Sequence, residues 1–338
     1  MDKNEIKQLE DNFFSQKYYI SYSAMSKLMY SPHLFYKHYI LGKRDDQESA
    51  GTLAGKVIHS LLLDPDNFKE HFILLPGNMP SDNPKKIIEA VYQHHSTQEV
   101  VPETATLIDY KDFILQALVE ANLYQSLKTD EQRVAKISTP QHEEYFSFLM
   151  KKEGKSIVDI PTYEECTEIV ELLKQHDQVT TLLGRTPDQE SFQVINEYAL
   201  QIEDVGELPF GLKGILDNMV MDVENKYVRI NDLKKTSKTL IEFPDTVEFY
   251  NYWMQAALYV MMVKSLLKDN NFDPSEWTIK FNFIVVDKYK QIYPFLVSDT
   301  TMATWLERTS KWLSVAAWHY EQRRFDLPYA LIDNPNFL

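Results

Sequence analysis

Gly211 to Lys235, GLKGILDNMVMDVENKYVRINDLKK, sets two carboxylates, Asp217 and Asp232, each at the end of an apolar run, with Lys234 two residues past the second. Gly214-Ile215-Leu216 and Val228-Arg229-Ile230 have strand composition and Asp222 to Lys226 is a polar turn, so the stretch reads as an antiparallel hairpin. Residues two apart in a strand face the same side, which points Asp232 and Lys234 into one space while Leu233 faces away; the hairpin brings Asp217 back to that space. Two acids and an ammonium meeting at a sheet edge can hold a divalent metal ion and organise water against a phosphodiester. A surface hairpin with a charged tip is the other reading of these residues.

Four further sets invite the same double reading. Ser49 to Leu63 (SAGTLAGKVIHSLLL) keeps helical spacing and puts Gly55 and His59 one turn apart on one face, where His59 is either a ligand or a satisfied core histidine. A helix expected from an Asp245 cap, with Glu248 three residues on, to about Lys268 carries Gln255 and Tyr259 on one face. Their amide and phenol either contact a phosphate backbone and brace the acids, or are buried polar groups with local partners. Glu197, in a strand before the hairpin, either lends another carboxylate or faces solvent. Tyr18 to Tyr39 interleaves aromatics with Lys27, Lys37 and Lys43, a pattern of base stacking or of core.

The elements that must position these groups follow from periodicity. Residues 1–76 read as a helical N-terminal part and residues 77–190 as a helical insertion or subdomain. From Ser191 the period becomes strand-like, with three strands over Phe192–Glu203, Leu208–Met221 and Tyr227–Lys234. A helix, a hairpin over Glu276–Ser298 and a closing helix over Thr301–Arg323 complete an α/β core with a mixed sheet, residues 191–338.

Composition narrows the chemistry. Cys166 is the one cysteine in 338 residues, which excludes an internal disulfide and any iron–sulfur or zinc site built on several thiolates. No apolar run approaches a membrane span and MDKNEIKQLEDN is too polar for a signal peptide, so the expected location is cytoplasmic. A net charge of -15 argues against a surface coated for nonspecific nucleic-acid binding, yet permits a local basic groove.

Four motifs in order, Gly55-Lys-Val-Ile-His59, Gly214-Ile-Leu-Asp217, Asp232-Leu-Lys234 and Gln255-Ala-Ala-Leu-Tyr259, resemble the PD-(D/E)xK nuclease superfamily. Within it the chain looks like the RecB-like branch and its phage RecE-type (exodeoxyribonuclease VIII) nuclease domains. Ser31-Pro32 with its following aromatic, and His59 to Phe68 (HSLLLDPDNF), add to the likeness, which covers most of Ser21 to Tyr259 and only loosely Gly77 to Leu183. One departure is Lys235, where many relatives carry threonine.

The resemblance implies a restriction-endonuclease-like α/β fold and a metal-dependent deoxyribonuclease, an exonuclease that resects double-stranded DNA ends in phage-type recombination. Asp217, Asp232 and the Leu233 carbonyl would be metal ligands, with His59 a further or near ligand. Lys234 would position and help deprotonate water or stabilise phosphate charge, and Gln255 and Tyr259 would contact DNA and support the site. Mg²⁺, with Mn²⁺ as substitute, is the implied cofactor. The implied partners are double-stranded DNA ends, a single-strand annealing protein and other copies of the chain in a ring, in a bacterial host cell if phage-encoded. Lys213, Lys235 and Lys238 are candidate channel residues. A structure-specific endonuclease and a catalytically inactive DNA-binding module are the alternatives.

Overall fold

The computed structural model describes residues 3–44, 49–97 and 104–334. Two compact units divide the chain, Met1–Gly55 with Ile169–Leu338, and Lys56–Glu168. The divisions fall inside the helices Ala50–Leu63 and Ile160–Gln175. The strands in chain order are β1 Tyr19–Ile20, β2 Phe72–Leu74, β3 Ser156–Val158, β4 Gln193–Ile202, β5 Gly211–Asp222, β6 Tyr227–Lys235, β7 Thr278–Val286 and β8 Ile292–Leu296.

In the first unit six strands form a mixed sheet, as the order of elements predicts. β5 pairs antiparallel with β4 along most of its length, whereas it pairs with β6 only over Asn218–Asp222 and with β1 only at Gly211 and Leu212. β6 and β7 run parallel, and β7 and β8 antiparallel. Along the β6 edge of β5, residues 213–217 therefore have no strand partner among the described residues.

The helix Tyr252–Asp269 packs its buried Trp253, Met254, Leu258 and Met262 into one cluster with Leu216, Val228, Ile230, Phe281 and Phe283. Burial on nearly every side suits its near-continuous apolar sequence. An unbroken helix from Asp245 is not what forms. Thr239 and Glu242 make a capping box, one helix covers Phe243–Phe249, and Asn251 at φ 59° breaks the chain before the next begins at Tyr252. Asparagine is among the few residues that occupy this left-handed region readily.

Side-chain alternation changes phase within β4 and β5. Leu212 and Leu216 join the cluster under Tyr252–Asp269, but so do Met219 and Met221, so the inward side passes from even to odd numbers. β4 does the same between Ile195 and Leu200. Both changes fall at one register position, for the pairs Asn196–Asn218 and Tyr198–Leu216 bracket Glu197 and Asp217. Glu197 adopts φ 47° there, a conformation costing a non-glycine residue about 1 to 3 kcal/mol.

On the reverse face a row of carboxamides crosses the sheet. Asn282 donates to Asn231 (2.9 Å), Asn231 to Asn218 (2.7 Å) and Asn218 to Asn196 (2.8 Å). Asn231 Nδ2 also donates to the Leu182 carbonyl, and the Arg229 guanidinium donates to the carbonyls of Leu182 and Thr181, which caps the helix Asp177–Leu182.

The second unit is helical, as its composition suggests. Asp82–Ser96, Lys111–Glu120, Asp130–Ile137 and Pro140–Lys151 enclose a core that includes Ile88, Leu107, Ile114, Leu118, Ile137 and Phe146. β2 and β3 form a short parallel pair in the same unit. His95 is buried there with its Nδ1 hydrogen-bonded to the Tyr110 hydroxyl.

Candidate active site

The partnerless edge of β5 is where the charges gather. Asp217 sits one residue beyond the last β5–β6 pair, and its Oδ2 accepts the Leu233 N–H at 2.7 Å, so the carboxylate takes over where the ladder stops. The phase change decides this placement. Without it Asp217 would share the side of Lys213 and Ile215, away from the helix Tyr252–Asp269.

Asp232 is fully buried, a position an ionised carboxylate holds only with partners. Its Oδ2 lies 2.6 Å from Lys234 Nζ, and its Oδ1 accepts from Gln255 Nε2 at 2.9 Å. The same Gln255 nitrogen is 3.2 Å from the Tyr259 hydroxyl. Tyr259 can lie this close to the sheet because Gly214 is bare: a Cβ there would come within 2.8 Å of the Tyr259 ring. Gln255 and Tyr259 thus brace the carboxylate from buried positions.

Electrostatics follow from that burial. Desolvation alone would depress the Lys234 ammonium, but the Asp232 and Asp217 charges outweigh it and hold the lysine above its ordinary range. Burial, reinforced by the same two carboxylates, pushes the Tyr259 phenol up, and burial does the same to Tyr22. Lys234 Nζ also stands 4.7 Å from the Tyr252 ring centroid.

Glu197 faces Asp217 across the β4–β5 register, with carboxylate oxygens within 4.8 Å of each other. Two carboxylates at that separation repel unless a proton or a cation lies between them, and their hard oxygens suit Mg²⁺ or Mn²⁺. Backbone strain at Glu197 adds to the sign of function, since such strain persists where the surrounding structure enforces it.

Of the residues singled out from sequence, Asp217, Asp232, Leu233, Lys234, Gln255 and Tyr259 come together in the first unit, and Glu197 joins them. His59 is half-buried on the helix Ala50–Leu63 and belongs to the second unit. Lys213 is exposed, 6.0 Å from the Tyr18 ring, and lies on the opposite side of β5 from Gly214. Lys235 alternates away from Lys234, and Lys238 stands 6.0 Å from the Phe249 ring. Sequence reasoning missed Tyr22 and the placement of Tyr252 against Lys234. Tyr22 arrives from more than two hundred residues away and donates its hydroxyl proton to the Tyr250 carbonyl; no local pattern announces such a contact.

Among the described residues no helix is long and apolar enough to cross a membrane. Residues 19–311 match the family model described as the PD-(D/E)XK nuclease superfamily. The fold is similar to the crystal structure of a candidate exonuclease from Eubacterium rectale, at 10% identity and a TM-score of 0.47 over 98% of this chain and 90% of that one. No curated protein sequence matches the chain.

Proposed function

Because the chain belongs to the PD-(D/E)XK nuclease superfamily, we propose that it is a metal-dependent deoxyribonuclease that degrades double-stranded DNA from its ends. The observation that carries this reading is the convergence of Asp217, Asp232 and Lys234 at the open edge of β5, with Glu197 opposite. Mg²⁺ or Mn²⁺ held by Asp217, Asp232, the Leu233 carbonyl and Glu197 would neutralise phosphate charge and lower the pKa of bound water. The glycine-to-histidine motif of the resemblance adds His59 as a further ligand.

The remaining roles belong to the chain's own groups. Lys234 is held as an ammonium by Asp232 and Asp217, so it suits charge gathering on the phosphate and a hydrogen bond to the attacking water better than proton abstraction. Gln255 fixes the rotamer of Asp232, and Tyr259 fixes Gln255. Action in phage-type recombination, a ring of copies with Lys235 and Lys238 toward its channel, and a single-strand annealing partner complete the proposal. Cytoplasmic location is part of it.

The test is digestion of linear and closed circular duplexes, labelled at the 5′ or 3′ end, with Mg²⁺ or EDTA. Linear DNA should be consumed with Mg²⁺ only and circles spared. Cut circles would favour the endonuclease, and DNA binding with no nucleotide release the inactive module. Asp217→Asn, Asp232→Asn and Lys234→Ala should each abolish release, and full activity in any of them would overturn the assignment.

A further inference from the structure

Between the helices Phe243–Phe249 and Tyr252–Asp269 the chain turns a corner that displays aromatic rings to solvent. Phe249 is 74% exposed and Tyr250 49%, although both lie beside a fully buried Trp253. The corner is not slack. Asn251 fixes it in a left-handed conformation, the Tyr250 carbonyl accepts the Tyr22 hydroxyl, and Glu248 pairs with Arg308 at 2.7 Å. Arg308 in turn stacks on Trp253, 3.8 Å from the ring centroid.

The rings run on to the site in an unbroken series. The Phe249 and Tyr250 ring centroids are 4.9 Å apart, edge to face; Tyr250 stacks on Tyr252 at 5.5 Å and 25°; Tyr252 faces the Lys234 ammonium. Lys238 lies over the outer ring, and Glu242 feels both Lys238 and Lys288. Rigid, solvent-facing aromatic rings flanked by lysines are the chemistry that holds unpaired bases of a polyanionic strand, since every base offers a π-face and each phosphate a negative charge.

We propose that Phe249 and Tyr250 form a stacking platform for an unpaired nucleobase of the strand whose phosphate lies at Lys234. The occupant is a single-stranded segment next to the scissile bond, so the enzyme favours a frayed or overhanging end over a closed duplex terminus. This rests on the nuclease reading above and specifies the substrate that site accepts.

The experiment compares two duplexes that differ only in whether the sugars of the overhang carry bases. The wild-type chain should process the base-bearing overhang with kcat/KM about 5- to 150-fold above the abasic one, the range supplied by stacking one base on one ring. The Phe249→Ala/Tyr250→Ala variant should treat both alike, at the wild-type rate on abasic DNA, and Phe249→Trp/Tyr250→Trp should recover the preference. Because Phe249 is mostly exposed and Tyr250 about half exposed, the alanine variant should stay folded, which a cooperative thermal melt checks. A second arm, with Ca²⁺ in place of Mg²⁺, follows an overhang carrying 2-aminopurine: its fluorescence should fall on binding wild type and stay high with the alanine variant. That arm decides the platform even if no DNA is cut, an outcome that would sink the nuclease reading alone. Equal processing of both overhangs by wild type, equal loss on both in the variant, unquenched 2-aminopurine, or a change confined to oligomer mass would overturn the proposal.

Discussion

Replacing Lys234 by methionine keeps the apolar stem and removes the charge that Asp232 leans on. Asp232 is wholly buried and its Oδ2 lies 2.6 Å from Nζ. Losing one member of a buried pair typically costs about 3 to 5 kcal/mol. A second route gives a similar figure: if Asp232 instead takes up a proton at pH 7, lifting it from about 3.9 costs about 1.36 kcal/mol per pH unit, or about 4 kcal/mol. That cost shrinks to about 1.5 kcal/mol at pH 5, because the proton becomes cheaper as the pH falls. Urea unfolding in EDTA at both pH values measures it. Asp232→Asn combined with Lys234→Met should recover most of the loss, since the asparagine still accepts from Gln255 and no charge is stranded. In wild type the sign is different. A lysine held above its ordinary range gives its full stabilisation below about 10.4 and surrenders it only as the pH climbs beyond. A Lys234→Met loss below about 1 kcal/mol, or one equal at pH 5 and pH 7, would refute the claim that this pair is desolvated and ionised.

Glu197→Gly should be more stable than Glu197→Ala by about 1 kcal/mol, because glycine accepts φ 47° without strain; thermal melts decide it. Gly214→Val should displace Tyr259, costing about 1 to 3 kcal/mol and weakening the Gln255 brace, which a tyrosine-resolved NMR spectrum and urea unfolding would detect. His95 is held below its ordinary range by burial, so its contribution is present above about 6.5 and lost as the pH falls through and below that value. The protection of the Asp82–Ser96 amides, measured against their intrinsic exchange rate at each pH, should therefore fall on acidification, and His95→Phe should blunt the effect.

Much of the architecture was legible because it rests on period and punctuation. The polar Asp222–Lys226 turn, the apolar runs beside it and the two-residue spacing of Asp232 and Lys234 gave the hairpin and half of the site. What strict alternation cannot express is a phase change, and nothing in Asn196-Glu197-Tyr198 advertises a left-handed glutamate, since no glycine marks it. The break at Asn251 had a weak signal in the asparagine itself, overridden by strong helical spacing on both sides. The Gln255–Asp232 contact was open to two readings because spacing tells which face a residue occupies but not whether that face is wet.

The row of asparagines has a consequence for how the chain finds its native pairing. Asn196, Asn218, Asn231 and Asn282 stand abreast, each passing a proton donor to the next in the same direction, with Asn218, Asn231 and Asn282 shut away from water. Sliding any one strand by a single step would strand carboxamides in hydrocarbon, at about 1 to 3 kcal/mol for each unmet group. The inert face thus acts as a gauge for the reactive one: by penalising misaligned intermediates, it delivers Glu197, Asp217 and Asp232 abreast, each one step along from an asparagine of that row.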